Sequence, residues 1–502
     1  MIHEILNGLW TCLQPLNFSL ILGGVILGLI IGALPGLSSP MAIIVLLPVT
    51  YSMDTLPAIL AMMGVYVASK LGGSYSAILL RTPGTPAAAC TALDGYPMAQ
   101  RGEAGLALGY ATMGSTFGGL FGWVIAVTCV PLLGVVAAKS SNADIALVGI
   151  LGLVMVSAFI RGSTLKGLIG VVVGLLATTI GLSPIDGVER FTFGQYQLLS
   201  GVPFAAALVG LFGYAVVLSD IEMIGQSSSL IARDVRIKLP RFSEIRRLWD
   251  CILIGGLWGV GVGAVPGVGA EVSPWLAYGT VRNKSKHREK FGTGIPEGVV
   301  VSEATANANC GGTMVPMLTL GIPGDGSTAI MLGALILHGL QPGVLLIHDQ
   351  PDLVYGILAS LLVATICMFF VSWTSIRYFI AILRPGRSWL FPFVLVLATI
   401  GAFASSNSFY PVYVAVAFGL IGFVFESFQF PIVTLVLGIM LGPIVELNTR
   451  LALELSNGDW GTFVATWPRV LMVCLIVGLL GYESYQSIRL PVAVAAGESS
   501  SV

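Results

Sequence analysis

Charge is what this sequence has least of. Of its 502 residues only 10% are charged, while 56% are hydrophobic and the mean hydropathy is +0.92. A soluble chain carries roughly 25% charged residues, so a soluble enzyme, a nucleic-acid binder and a disordered protein are excluded. Long stretches lack Asp, Glu, Lys and Arg altogether: 5–53, 104–138, 145–160, 167–185, 191–219, 251–270, 304–324, 353–376 and 388–425. A bilayer-crossing helix needs about 20 apolar residues, so these stretches predict roughly 11–13 spans, some of them broken. Apolar and polar residues do not alternate along them, which excludes a transmembrane barrel. The predicted fold is an all-α, polytopic helical membrane protein whose surroundings are a lipid bilayer and not nucleic acid.

Other absences narrow the chemistry. No basic segment opens the chain: Glu4 is the one early charge and Lys70 the first basic residue, so no cleavable signal peptide is expected. The seven cysteines form no CxxC or Cys/His spacing and read as small packing residues. No lysine follows a glycine, so there is no P-loop, and no HExxH motif occurs. The chain is therefore not expected to be an enzyme or to hold a cofactor. The chain therefore carries no built-in ATPase.

What charge there is falls in clusters. Eleven of the 24 basic residues lie between 233 and 290: Arg233, Arg236, Lys238, Arg241, Arg246 and Arg247, then Arg282, Lys284, Lys286, Arg288 and Lys290. The positive-inside rule turns both clusters, with Arg377, Arg384 and Arg387, to the cytoplasm. The expected organisation is a first transmembrane half over 1–222, a basic linker over 223–250, a second half over 251–485 and a polar tail over 486–502.

Those halves repeat. Gly24, Gly28, Gly32, Pro35 and Gly36 superpose on Gly255, Gly259, Gly263, Pro266 and Gly267 at an offset of 231. Gly72-Gly73 then matches Gly311-Gly312, and Pro83-Gly84 matches Pro323-Gly324. Asp94-Gly95-Tyr96-Pro97 echoes His338-Gly339-Leu340-Gln341-Pro342, and Gly174 faintly echoes Gly419. Glycine at every fourth position lets a second backbone approach in lipid. Pro-Gly removes a backbone donor and frees the dihedrals, so each helix should break there, facing protein or a water-filled cavity. A second break follows in each half, at 81–86 and at 322–327.

Paired interruptions in repeated halves point to a secondary transporter, with its sites near the midplane where half-helix ends meet. Half-helix N-termini favour an anionic substrate. Candidate substrate contacts are therefore Ser38, Ser39, Arg81, Thr82, Pro83, Gly84, Thr85, Pro323, Gly324 and Ser327. Freed carbonyls, amides and a carboxylate make Gly36, Gly267, Asn307, Asn309 and Asp325 the candidate ligands of a coupling ion, Na⁺ or H⁺. Charges in apolar surroundings are functional candidates by default. That adds Lys70 and Arg81 as carboxylate partners, and Glu271, Glu297 and Glu303 as cation or proton sites, Glu297 being better suited to pair with the 282–290 cluster. Thr313 is a further polar candidate, and His338 reads as a buried, hydrogen-bonded histidine.

Several runs taken together carry a resemblance. They are Gly32-Ala33-Leu34-Pro35-Gly36-Leu37, Gly72-Gly73-Ser74 with Ala77-Ile78-Leu79-Leu80, Thr82-Pro83-Gly84-Thr85-Pro86, Asp94-Gly95-Tyr96-Pro97-Met98-Ala99 and Gly102-Glu103-Ala104-Gly105. In the second half they are Pro266-Gly267-Val268-Gly269, Pro296-Glu297-Gly298-Val299, Glu303-Ala304 with Asn307-Ala308, and Leu320-Gly321-Ile322-Pro323-Gly324. Over about residues 18–445 the chain resembles the large membrane subunit of the bacterial tripartite tricarboxylate transporters. The resemblance implies an inner-membrane permease that works with a small membrane subunit of about four helices and a periplasmic solute-binding protein. It implies uptake of citrate-like tricarboxylates or other organic acids on a sodium or proton gradient. Arg81 stands where that family commonly has asparagine, and Lys70 where a neutral residue is expected. The competing reading is a passive organic-anion channel, which also tolerates broken helices; accumulation against a gradient separates the two.

Overall fold

A computed structural model describes residues 2–34, 37–137, 139–159, 164–220, 237–266, 269–382, 390–404 and 406–489. The candidates Gly36 and Gly267, with Pro35, Val268, Arg233, Arg236, Arg384 and Arg387, lie outside the described residues.

The helices in chain order are α1 (Ile2–Leu13), α2 (Pro15–Ala33), α3 (Ser39–Ile44), α4 (Leu47–Thr50), α5 (Thr55–Leu80), α6 (Ala88–Met98) and α7 (Ala104–Ala137). They continue with α8 (Asn142–Phe159), α9 (Thr164–Thr178), α10 (Phe204–Val209), α11 (Ala215–Asp220), α12 (Phe242–Arg247), α13 (Trp249–Gly263) and α14 (Gly269–Lys284). The last are α15 (Pro296–Leu320), α16 (Gly326–Leu337), α17 (Val344–Asp349), α18 (Pro351–Ile382), α19 (Leu390–Ala404), α20 (Tyr410–Ser427), α21 (Ile432–Leu455) and α22 (Trp467–Arg489). Strand structure among the described residues is limited to the antiparallel pair Gly181–Leu182 and Glu189–Arg190.

The chain is an all-α, multi-pass membrane protein. Among the described residues six helical stretches are long and apolar enough to cross a bilayer: Pro15–Ala33, Thr55–Leu80, Ala88–Val135, Pro351–Ser375, Tyr410–Ser427 and Ile432–Leu455. Shorter apolar stretches of 10–17 residues also occur, Ser39–Thr50 and Gly326–Leu337 among them. At about 1.5 Å per residue each of these falls short of a hydrocarbon core about 30 Å thick. Leu132, Leu257, Leu420 and Val477 are exposed on the helix surfaces, as lipid contact requires.

Two compact units form, Met1–Ala138 with Pro203–Phe428, and Lys139–Val202 with Gln429–Val502. In the second unit α21 lies against α8 and α9, with the backbones of Gly174 and Gly438 in contact. Its polar ends are held by ion pairs, Arg190 to Glu446 at 2.6 Å and Arg469 to Asp144 at 2.7 Å. Gly419, by contrast, packs in the first unit against Gly210 and Tyr214. The faint match of Gly174 with Gly419 therefore does not reflect a shared environment.

The first unit carries the repeat in its packing. Gly24, Gly28 and Gly32 of α2 face the backbone of Ala61, Val65 and Ser69 on α5. Gly255, Gly259 and Gly263 of α13 face Val301, Thr305 and Asn309 on α15. The striped helices are related by 231 residues and the helices they press on by 240. This register corrects one sequence match. Gly72 meets the carbonyl of Leu29 and Gly312 that of Val260, so Gly72 corresponds to Gly312 and Gly73 to Thr313, one residue further along than the Gly-Gly pairs suggested.

Candidate functional site

Both second breaks are built alike. α5 ends at Arg81 and α15 at Gly321, each in the left-handed region at φ 56° and 69°. Glycine adopts that conformation freely, whereas an L side chain is strained there; Arg81 occupies it without that freedom. The loop after each turn folds back onto the glycine-striped helix of its own half. A Cβ on Gly84 would collide with the carbonyl oxygen of Gly32, and one on Gly324 with that of Gly263. The amide of Gly84 also donates to the carbonyl of Gly73 at 3.0 Å. Only glycine lets the loop backbone come this close.

The two halves then meet through side chains. Asp325 caps the N-terminus of α16, its Oδ1 accepting from the Thr328 amide at 2.9 Å. Its Oδ2 turns to the first half, accepting from the Tyr66 hydroxyl at 2.8 Å and lying 3.4 Å from Lys70 Nζ. Tyr66 also bonds Thr313 Oγ1 at 2.9 Å, and the Lys70 ammonium stands 5.1 Å from its ring centroid. The Lys70 and Asp325 side chains are only 6% and 9% exposed. Glu271 lies close enough for its charge to act on both of them.

Around these breaks sit polar atoms with nothing to bond. Ser38 Oγ, Ser39 Oγ, Thr85 Oγ1, Ser273 Oγ, Ser327 Oγ, Asn309 Oδ1 and both amide atoms of Asn307 are buried and lack a hydrogen-bond partner among the described residues. Asn309 is half engaged, its Nδ2 donating to the Gly259 carbonyl at 3.3 Å. Ser39 and Ser327 belong to α3 and α16, which pack together; a Cβ on Gly326 would stand 3.0 Å from Pro40 Cγ. Leaving one such group unpaired costs about 1–3 kcal/mol, so a concentration of them marks a place that expects a polar occupant.

The other candidates are distributed differently. Gly84, Pro323 and Gly324 are buried in the loop backbones. Arg81 and Thr82 are exposed and Pro83 is half-buried. Arg81 Cζ lies 5.8 Å from the Tyr96 ring centroid. It lines a cavity of about 390 Å³ with Pro83, Leu93, Tyr96, Gln100 and Gly292. Glu297 forms no ion pair with the basic cluster among the described residues, and His338 is only half-buried at the end of α16.

Tyr66 was not singled out from sequence, although it precedes Lys70 by one helical turn on the same face, a spacing that links them. The sequence marks Asp94 only within the repeat and the family runs. It is fully buried, accepting from the amides of Gly292, Gly294 and Ile295 at 2.9, 2.8 and 3.0 Å and from the Tyr278 hydroxyl at 2.8 Å. Residues so far apart in the chain gave no local signal.

Broken, repeated helices converging on a buried ion pair suit a membrane transporter, and comparison with known proteins places the chain in a transporter family. Residues 18–437 match the Tripartite tricarboxylate transporter TctA family. The chain belongs to this family. An uncharacterized 52.8 kDa protein in the TAR-I ttuC' 3' region of Agrobacterium vitis is 34% identical over 485 residues, 96% of each chain. A second uncharacterized A. vitis protein, in the TAR-II ttuC' 3' region, is 33% identical over 224 residues, 44% of this chain and 93% of its own length. No solved structure matches. As a TctA-family chain the protein is a tricarboxylate transporter subunit, and membership implies a tripartite system with further subunits. The matched span of the TctA family contains both pairs of breaks and every candidate residue named above.

Proposed function

We propose that the chain is the permease of a binding-protein-dependent secondary transporter in the bacterial inner membrane. It imports tricarboxylates or related organic acid anions on a sodium or proton gradient, with a small four-helix membrane subunit and a periplasmic solute-binding protein as partners. The observation that carries this reading is the set of unpartnered buried hydroxyls and amides at the breaks. An anion seated there would accept from Ser38, Ser39 and Ser327 at the start of two half-helices, where partial positive charge gathers. Lys70 would balance one carboxylate of the substrate while remaining beside Asp325.

The test is a double substitution, Ser39→Ala with Ser327→Ala. Removing hydroxyls that bond nothing should leave ligand-free thermal stability unchanged or raised. Affinity for a carboxylate substrate, measured by ligand-induced thermal shift, should fall by about a hundredfold or more, each of the two lost charge-assisted bonds being worth about 1.5–3 kcal/mol. Lower stability with unchanged affinity would assign both hydroxyls to packing.

A further inference from the structure

Among the described residues of the first unit, the helix core buries the carboxyl groups of Asp94 on α6, Glu303 on α15 and Asp325 before α16, and the first and last have their charge answered. Asp94 takes three backbone amides and a phenol. Asp325 has Lys70. Glu303, only 1% exposed on α15, has neither. Its carboxyl accepts from three hydroxyls on three helices: Ser74 of α5, Thr91 of α6 at 2.5 Å and Ser115 of α7 at 2.7 Å.

No cation faces it. α6, α7, α13 and α15 contain no Lys, Arg or His, and the one cation of α5, Lys70, is engaged with Asp325. On α14 the basic residues Arg282 and Lys284 stand at the helix's last turn, Arg282 beside Tyr278 and hence toward Asp94. α16 carries no charged residue, and His348 and Asp349 of α17 are exposed and bond each other. The titratable groups that interact with Glu303 are Tyr75 on α5 and Cys90 on α6, neither of which brings positive charge. A carboxylate removed from water with no counter-charge is among the least favourable groups a protein can bury. Glu303 therefore needs a mobile positive charge.

We propose that Glu303 is the residue that binds and releases the coupling proton. The inference rests on the reading of the chain as a gradient-driven transporter and adds the identity of the ion and its seat. The Thr91 and Ser115 oxygens stand 2.5 and 2.7 Å from the carboxyl oxygens, the spacing of hydrogen-bonded oxygens, which leaves no gap for a sodium ion between them. In one state the three hydroxyls donate to the carboxylate. In the other a proton from solution forms an O–H bond on Glu303, which donates to one hydroxyl oxygen. That hydroxyl turns its own hydrogen to a carbonyl one turn back, as Ser302 and Thr305 do to Gly298 and Val301. No other bond is made or broken. Because Ser74 and Thr91 lie on the helices that enter and leave the 81–87 break, the proton alters the bonding of α15 to the helices that hold the first loop.

The experiment uses the complete transporter with its binding protein in vesicles, and radiolabelled citrate, succinate and malate. Wild-type protein should accumulate label under an inward proton gradient with sodium equal on both sides. Glu303→Gln, close in shape and fixed neutral, should lose that accumulation yet keep exchange of label at equilibrium, with an exchange rate no longer dependent on pH. Accumulation by Glu303→Gln equal to wild type would overturn the proposal. So would wild-type accumulation driven by sodium with pH equal, an outcome that leaves the transporter reading standing. Accumulation under neither gradient would instead reject the transporter reading and this proposal with it. Should the variant fail to fold, infrared difference spectra of wild-type protein containing ¹³C-glutamate decide. A buried carboxylic-acid band that titrates and shifts with the label supports the proposal, and its absence overturns it.

Discussion

Lys70 brings a positive charge to the middle of α5, and Asp325 brings a negative one to the start of α16; each makes the other tolerable. Breaking a buried pair from one side leaves an uncompensated charge and costs about 3–5 kcal/mol, while replacing both partners is often neutral. Lys70→Met and Asp325→Asn should each lower the thermal midpoint of the purified protein markedly. The double variant should recover most of that loss; equal destabilisation in all three would show that the charges do not depend on each other. Tyr66→Phe removes one donor to Asp325 and should cost about 1–3 kcal/mol by the same assay. Asp325 and Lys70 were legible in the sequence because a charge in an apolar run stands out. Their pairing was not, since residues 255 positions apart share no local pattern. Tyr66, Ser74, Thr91 and Ser115 were missed for a related reason: hydroxyls are common in helices, and only the packing decides which of them meet.

At the level of elements, glycine decides how close the loops come. Gly84→Val and Gly324→Val place side chains onto the carbonyls of Gly32 and Gly263. Both should abolish uptake while membrane insertion, followed by fractionation, persists; normal uptake in both would remove the loops from the transport path. Arg81 is the contrasting case. It holds the left-handed position that Gly321 holds in the second half, at a strain of roughly 1–2 kcal/mol. Arg81→Gly should therefore stabilise the protein by about 1 kcal/mol. If uptake falls while the thermal midpoint rises, Arg81 acts on the substrate; unchanged uptake would leave it a role at the surface cavity alone. The glycine stripes and the Pro-Gly breaks were readable from spacing. The one-residue shift that matches Gly72 with Gly312 was not, because consecutive glycines align equally well in either register.

For the whole molecule, the repeat supplies the frame and the departures from it supply the chemistry. Under the 240-residue register Lys70 corresponds to Cys310, Tyr66 to Ala306, Glu303 to Met63 and Asp325 to Thr85. The first half contributes the cation and the phenol, the second both carboxylates, so the symmetric scaffold holds an asymmetric site. The division into two compact units was not visible in the sequence, since the second unit joins 139–202 to a segment more than 200 residues later. Under the proposed function, the chain should depend on a periplasmic binding protein for uptake. Omitting that protein from the assay should stop uptake, and full-rate uptake of free substrate would contradict the arrangement.

The central claim is that this chain couples anion movement to an ion gradient. The most direct measurement is uptake of a labelled carboxylate panel into vesicles holding the chain, its small subunit and the binding protein, with sodium and proton gradients imposed one at a time. The account predicts label rising above its outside concentration under one gradient and collapsing when that gradient is dissipated. Label that only equalises across the membrane under both would contradict it, and would make the broken helices the lining of a passive pore.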